Sequence, residues 1–314
     1  MIEPRRSART YHTWTHDSTR WDRYAPRAGD IVIATPPKCG TTWTQRIVSL
    51  LVFQSPAPCP VMEVSPWIDA RFTIPLEPML QLIEAQTHRR FLKSHLPLDG
   101  LPIYDEVRYI HVARDPRDAC MSFFNHYSGL TPLAFEAIAA NAPPELGPVP
   151  RDVDDVRTFW RDWFTRGSQP GAQDGFPDLS FVDFETSYWR ERRRENLLLV
   201  HYNDLKADLD GEMRRIAAFL GIETPAALWP KLVEAASFAA MKRDGAILLG
   251  PLNAMFEGGS DRFMFKGSNG RWRDELSADD LALADKLAAR FSPGLGRWLE
   301  GGRLAAGDPV TSAE

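Results

Sequence analysis

The stretch from Asp30 to Gln54, DIVIATPPKCGTTWTQRIVSLLVFQ, constrains the fold more than any other part of the chain. Ile31 to Ala34 is a short apolar run, the length of a buried parallel strand. It breaks at Pro36 and Pro37 and turns through Lys38, Cys39, Gly40, Thr41 and Thr42. Trp43, Ile47, Val48, Leu50 and Leu51 then follow at a helical period. A strand, a Gly-containing turn and a helix in that order leave unpaired amide N–H groups at the helix start, where phosphate-like anions bind. Lys38 adds a full positive charge. On residue types alone, an anion loop and an ordinary βα turn with an exposed Lys both remain open.

Three known loops can be tested against the spacing. A Walker loop carries its Lys after the second Gly, with Ser or Thr next to hold magnesium. Here Lys38 precedes Gly40, and prolines stand where the first Gly belongs. A dinucleotide fingerprint needs three glycines, and only Gly40 is present. Cys39 at a helix start invites a phosphatase-like thiolate, but the Arg expected after it is absent, because position 45 is Gln. None of the three fits. Cys39 beside Lys38 is expected to be either an acidified, readily alkylated thiol or an inert buried thiol standing in for Ser.

Composition excludes several classes. A formal net charge of −5 gives no basic footprint for nucleic acid. Three cysteines, at 39, 59 and 120, are too scattered for a disulfide framework or zinc site and suggest a reducing compartment. No apolar run reaches membrane-spanning length, and the N-terminal residues lack the apolar core of a signal peptide. The chain reads as a cytoplasmic protein without membrane insertion.

Residues 1–29 form an expected arm with Tyr11, Trp14, Trp21 and Tyr24 packed on the body. Residues 55–80 carry six prolines with Trp67 and Phe72 among them, a segment that resists regular structure. It is either a substrate lid or a surface connection. A short helix is expected from Leu82 to His88 and a strand from Arg90 to Lys93, ending in Ser94-His95-Leu96-Pro97. A Lys and a His at a strand end sit where open parallel sheets place ligands. Val107 to Val112 is a third strand, entering Arg114-Asp115-Pro116-Arg117-Asp118, where Asp115 can cap a helix or pair with Arg117. Residues 141–155 are a Pro-rich, acidic excursion. An aromatic stripe at Phe159, Trp160, Trp163 and Phe164 belongs to an amphipathic helix and reads as core before pocket. Leu197 to Tyr202 is a fourth strand, of the buried type. A helix from Gly211 to Leu220 ends at Gly221, and another runs from Leu276 to Phe291 before a flexible tail over 301–314.

P-P-K-C-G-T-T-W resembles the 5′-phosphosulfate loop of the cytosolic-type sulfotransferases, Y-P-K-S-G-T-T-W, with Cys39 in place of Ser. K-S-H-L-P resembles the family's K-T-H-L-P, whose His, here His95, is the catalytic base. R-D-P-R-D-A-C-M-S resembles R-N-P-K-D-x-x-x-S, in which Arg and Ser, here Arg114 and Ser122, hold the nucleotide 3′-phosphate. H-Y-N-D-L-K resembles F-Y-E-D-M-K, which puts Tyr202 beside the adenine. Ser237, Phe238 and Met241 match T-S-F-x-x-M, which wraps the adenine. Phe263, Lys266 and Gly267 match F-x-R-K-G-x-x-G-x-W, but Phe265 replaces its Arg. One charged contact to the 3′-phosphate is therefore expected to be missing unless Arg262, Arg271 or Arg273 supplies it. The matches run in family order from residue 34 to 272.

The resemblance implies one α/β domain over residues 30–300, with a central parallel sheet flanked by helices in a P-loop-like fold. It implies 3′-phosphoadenosine 5′-phosphosulfate (PAPS) as co-substrate, 3′-phosphoadenosine 5′-phosphate (PAP) as product, and no metal. The nucleotide would be held by Lys38, Cys39, Gly40, Thr41, Thr42 and Trp43 together with the residues matched above. The chemistry agrees. His95 has the near-neutral pKa suited to taking a hydroxyl proton. Lys38 and the loop amides can stabilise the leaving group, and Lys93 can hold the sulfuryl oxygens. Trp67, Phe72, Phe123 and Tyr127 favour a small, largely apolar alcohol or phenol as acceptor. A catalytically silent nucleotide-binding module and a nucleotide-dependent kinase are the alternatives. The family's dimer motif is not legible, and the oligomeric state stays open.

Overall fold

The computed structural model describes residues 9–151, 153 and 155–313. The first eight residues of the expected arm, two residues of the Pro-rich excursion and the final residue of the tail lie outside that range.

Among the described residues four strands form one sheet: β1 (Ile31–Ala34), β2 (Phe91–Ser94), β3 (Arg108–Ala113) and β4 (Leu197–His201). They are parallel and ordered β2-β1-β3-β4, so β1 lies inside the sheet. Successive residues of a strand face opposite sides, and β1 shows the consequence. Val32 and Ala34 join one buried cluster with Trp160, Phe184 and Tyr188. Ile31 and Ile33 join the other with Ile47, Leu50 and Ile216. Both faces are covered, which is why these strands read as unbroken apolar runs.

All four expected strands are present, three of them with their ends shifted by a residue or so. The helix expected from Leu82 begins earlier and spans Leu76–Ala85. Pro75 caps it and Pro78 sits in its first turn, where a missing N–H costs nothing. The Pro-rich segment is also more ordered than its composition suggests. It contains the helix Val61–Val64, and the buried Arg46 donates to the carbonyls of Pro56 and Ala57 at 2.7 and 2.9 Å. Asp115 does both things expected of it. It caps the helix Pro116–Tyr127 and pairs with Arg117.

Phe159, Trp160, Trp163 and Phe164 are core residues of the helix Val156–Thr165. Gly221 ends the helix Leu209–Leu220 in the left-handed region, φ 63°. Residues 301–313, expected as a flexible tail, are docked. Arg303 donates to Asp204 and Glu212, and Arg192 donates to the Pro309 carbonyl at 2.9 Å. The arm aromatics Tyr11, Trp14, Trp21 and Tyr24 are buried. No helix among the described residues is long and apolar enough to cross a membrane.

Candidate active site

The C-terminal ends of β1, β2 and β3 open into one cavity of about 230 Å³. Ligands of open parallel sheets bind at this edge. On one side the cavity is lined by the turn after β1 and the start of the helix Thr41–Phe53. Lys38 (φ 68°) and Gly40 (φ 116°) both take positive φ, which folds the turn back over the helix start. Gly40 is also required by space, since a Cβ there would stand 3.3 Å from the Tyr202 ring. As the N-cap residue Gly40 offers no side chain to the first helical amides. Those amides therefore stay available to an anion.

Two amines enter this space. Lys38 Nζ lies 3.5 Å from His126 Nδ1 and 4.1 Å from the Phe263 ring centre. Lys93 Nζ lies 4.0 Å from the Trp67 ring centre. Neither has a carboxylate within ion-pair distance among the described residues. Burial, then repulsion from Arg114 and Lys93, brings the Lys38 ammonium down to about 7. Burial brings Lys93 down to about 8, against the attraction of Asp69. Two amines so destabilised as cations are prepared for an anion.

His95 follows β2 and is nearly buried. Its Nδ1 is 2.6 Å from the Thr35 carbonyl, which can only accept, so Nδ1 carries the proton. Nε2 is then the bare nitrogen of the neutral ring. Burial, with the charges of Lys93 and His16, holds His95 well below the usual imidazole range. Its backbone N–H is held by Asp69, which also accepts from the indoles of Trp21 and Trp67. One buried carboxylate thus joins the arm, the Pro-rich segment and the base.

Arg114 stacks over the Tyr202 ring at 4.1 Å and donates to the Lys38 carbonyl and to Asn269 Oδ1. Its buried Nε has no partner among the described residues. Ser122, Phe238, Met241, Phe263, Lys266 and Gly267 line the cavity, as do Thr41, Thr42 and Trp43. Gly267 (φ 62°) packs against Phe238, and a Cβ there would come within 2.8 Å of that ring. Trp67, Phe72, Phe123 and Tyr127 all line the cavity too.

Two expected site residues do not join them. Cys39 points into the core beside the sheet rather than into the cavity. Burial, aided by the charge of Glu185, pushes its thiol well above the usual range and outweighs Arg114 and Lys38. The acidified, reactive thiol expected from its place near a helix start is therefore corrected to an inert one. Ser237 caps the helix Phe238–Arg243 by accepting from the Ala240 N–H.

Sequence reasoning missed His16 and His126 and left Arg271 as one of three candidates; all three residues line the cavity. For Arg271 the signal was its nearness to Phe265. For His16 and His126 no local pattern marked them.

A parallel α/β sheet with an uncapped anion turn, two amines without a carboxylate partner among the described residues, and a bare imidazole defines a group-transfer enzyme acting on an anionic donor. Residues 28–296 match the model of the sulfotransferase domain family, and the chain belongs to that family. It is 34% identical over 310 residues to a glycolipid sulfotransferase of Mycobacterium bovis, covering 93% of this chain and 94% of that protein. It is 27% identical over 284 residues to cytosolic sulfotransferase 1 of Danio rerio, covering 87% of this chain and 86% of that one. Among solved structures, retinol dehydratase in complex with retinol and PAP superposes with a TM-score of 0.65 at 24% identity, over 86% of this chain and 83% of that one. A mouse sulfotransferase complexed with PAP gives a TM-score of 0.63 at 20% identity, over 90% and 92%.

Proposed function

We propose that this sulfotransferase moves a sulfuryl group from PAPS to a hydroxyl of an acceptor with an apolar body, using His95 as general base. The observation that carries this reading is the Nδ1 contact of His95 with the Thr35 carbonyl. It leaves Nε2 as a proton acceptor in the cavity that also holds Lys38 and Lys93.

When bound, the donor supplies an activated sulfuryl group on a phosphate leaving group. Lys38 and the uncapped amides of the turn hold its 5′ end and oppose the charge that grows there. Arg114, Ser122, Lys266 and Gly267 would surround the 3′-phosphate, and the Arg114 Nε, unpartnered among the described residues, is a donor that an anion could satisfy. Trp43, Tyr202, Phe238 and Met241 make an apolar slot for a flat base. Lys93, held against Trp67 at 4.0 Å, would face the sulfuryl oxygens. His95 Nε2 takes the hydroxyl proton.

The acceptor side is walled by Trp14, Phe72, Phe123, Tyr127, Ile138 and Val149, which suits a hydrocarbon body. A glycolipid sulfotransferase among the relatives supports a lipid-bearing hydroxyl compound over a bare phenol. Incubation with PAPS and a panel of phenols, fatty alcohols and alkyl glycosides tests this. Bisphosphate release that depends on an alkyl acceptor supports the reading, and none with any member of the panel refutes it.

A further inference from the structure

His16 comes from the arm, outside the span matched to the sulfotransferase domain, yet it lines the cavity. Its ring is 1% exposed and packs edge-on against His95, with centroids 6.0 Å apart, and against Trp67 at 5.4 Å. Nδ1 stands 3.1 Å from Asp178 Oδ1 and 3.0 Å from both the Thr13 and Thr15 hydroxyls. A carboxylate only accepts, so Nδ1 carries a proton. Nε2 has no hydrogen-bond partner among the described residues. Leaving a buried polar atom unpaired is unfavourable, and a ligand oxygen would recover the lost bond.

We propose that His16, oriented by Asp178, binds a second oxygen of the acceptor next to the hydroxyl that meets His95. The acceptor would then be a polyhydroxyl headgroup on an apolar body. This rests on the sulfotransfer reading above. Two rings 6.0 Å apart, each with a hydrogen-bond reach of about 2.8 Å, can hold oxygens on neighbouring carbons of one molecule.

The two histidines are tuned in opposite directions. Burial lowers both, but for His16 the charge and hydrogen bond of Asp178 more than offset it, and the ring is shifted toward its cation. His95, which faces a neutral carbonyl, is shifted toward its neutral form. The Asp178 carboxylate thus favours a donor at the unpartnered His16 Nε2, beside the acceptor at His95 Nε2, the pairing a site needs when it binds one oxygen and deprotonates its neighbour. A simple alcohol or phenol satisfies only His95.

Calorimetry on the full chain loaded with PAP tests this with two probes that differ by one hydroxyl, 1-hexanol and hexane-1,2-diol. Wild type should bind the diol about 10-fold more tightly, the worth of one hydrogen bond to a charged group. His16→Leu and Asp178→Asn should bring the ratio near unity. His16→Gln, which keeps an N–H donor, should restore part of it. PAP affinity reports whether each variant is folded, and if His16→Leu is not, the other two carry the test. Equal affinities in wild type, or a ratio unchanged in the folded variants, overturn the assignment. Turnover with PAPS, run in parallel, separates the two readings. A ratio that collapses as expected while neither probe is sulfated refutes sulfotransfer and leaves His16 as an oxygen site.

Discussion

His95 donates from Nδ1 to the carbonyl of Thr35, 2.6 Å away and sixty residues earlier in the chain. Thr35 directly follows β1 and His95 directly follows β2, and these strands pair in register. The sheet itself therefore fixes the tautomer of the base. Because burial lowers the pKa of His95, its neutral form persists to lower pH than in a free imidazole. The acid limb of the kcat/KM profile should accordingly lie well below pH 6.5. A limb at or above 6.5 in a stopped assay would remove His95 as the titrating base.

Lys38 and Lys93 set the alkaline side. With free values of about 7 and about 8, both are largely protonated at pH 6 and substantially neutral at pH 8. A bound anion favours their charged forms, so PAP binding should draw in protons at pH 8 and almost none at pH 6. Calorimetry in two buffers of different ionisation enthalpy reads this directly. Lys38→Met should abolish most of the uptake, and zero uptake at pH 8 in wild type would contradict the account.

Of the three arginines near Phe265, Arg271 is the one that lines the cavity, and we assign it the contact that Phe265 does not supply. It lies over the Phe265 ring at 5.3 Å and donates to the Met121 carbonyl at 3.0 Å, and burial, with repulsion from Arg114, lowers its pKa. Arg262 is engaged with Asn125 and Ser128, and Arg273 stacks on Trp272. Arg271→Ala should therefore weaken PAP by 10-fold or more, at about 1.5–3 kcal/mol for a lost charged contact, with little change for adenosine 5′-monophosphate. Phe265→Arg should add little. A large gain in Phe265→Arg with no loss in Arg271→Ala would mean the 3′-phosphate pocket lacks its third cation.

Asp69 accepts from Trp21 and the His95 amide in the interior and from Trp67 at the cavity wall. Asp69→Ala leaves those donors unpaired and should destabilise the fold by about 2–4 kcal/mol. Turnover should fall more than PAP affinity, because the bonds hold the base and the acceptor wall rather than the nucleotide turn. Denaturant titration checks the first expectation. An unchanged midpoint would show that Asp69 is not the joint between arm, Pro-rich segment and base.

Much of this was legible because the donor side is local in sequence. The β1 strand, the turn at Lys38 and the helix after it are contiguous, and the order of residue types carries their geometry. The Lys93 and His95 pair is likewise set by one strand end. The errors have a common cause, the direction of a side chain in the finished fold. Cys39 lies near a helix start, as its position suggests, but its thiol turns into the core, where burial outweighs the nearby cations. Prolines 75 and 78 looked like breakers and sit at a helix start, where they are tolerated. His16, His126 and Asp69 acquire meaning only when distant segments converge, and no local period marks such partners.

The most direct test follows sulfur from isotopically labelled PAPS into an alkyl acceptor by mass spectrometry, in wild type and in His95→Ala. Wild type should yield labelled sulfate ester and PAP in equal amounts. The variant should form both about 10²-fold more slowly while binding PAP normally. PAP released without labelled ester, or ester formed by His95→Ala at the wild-type rate, would contradict the account.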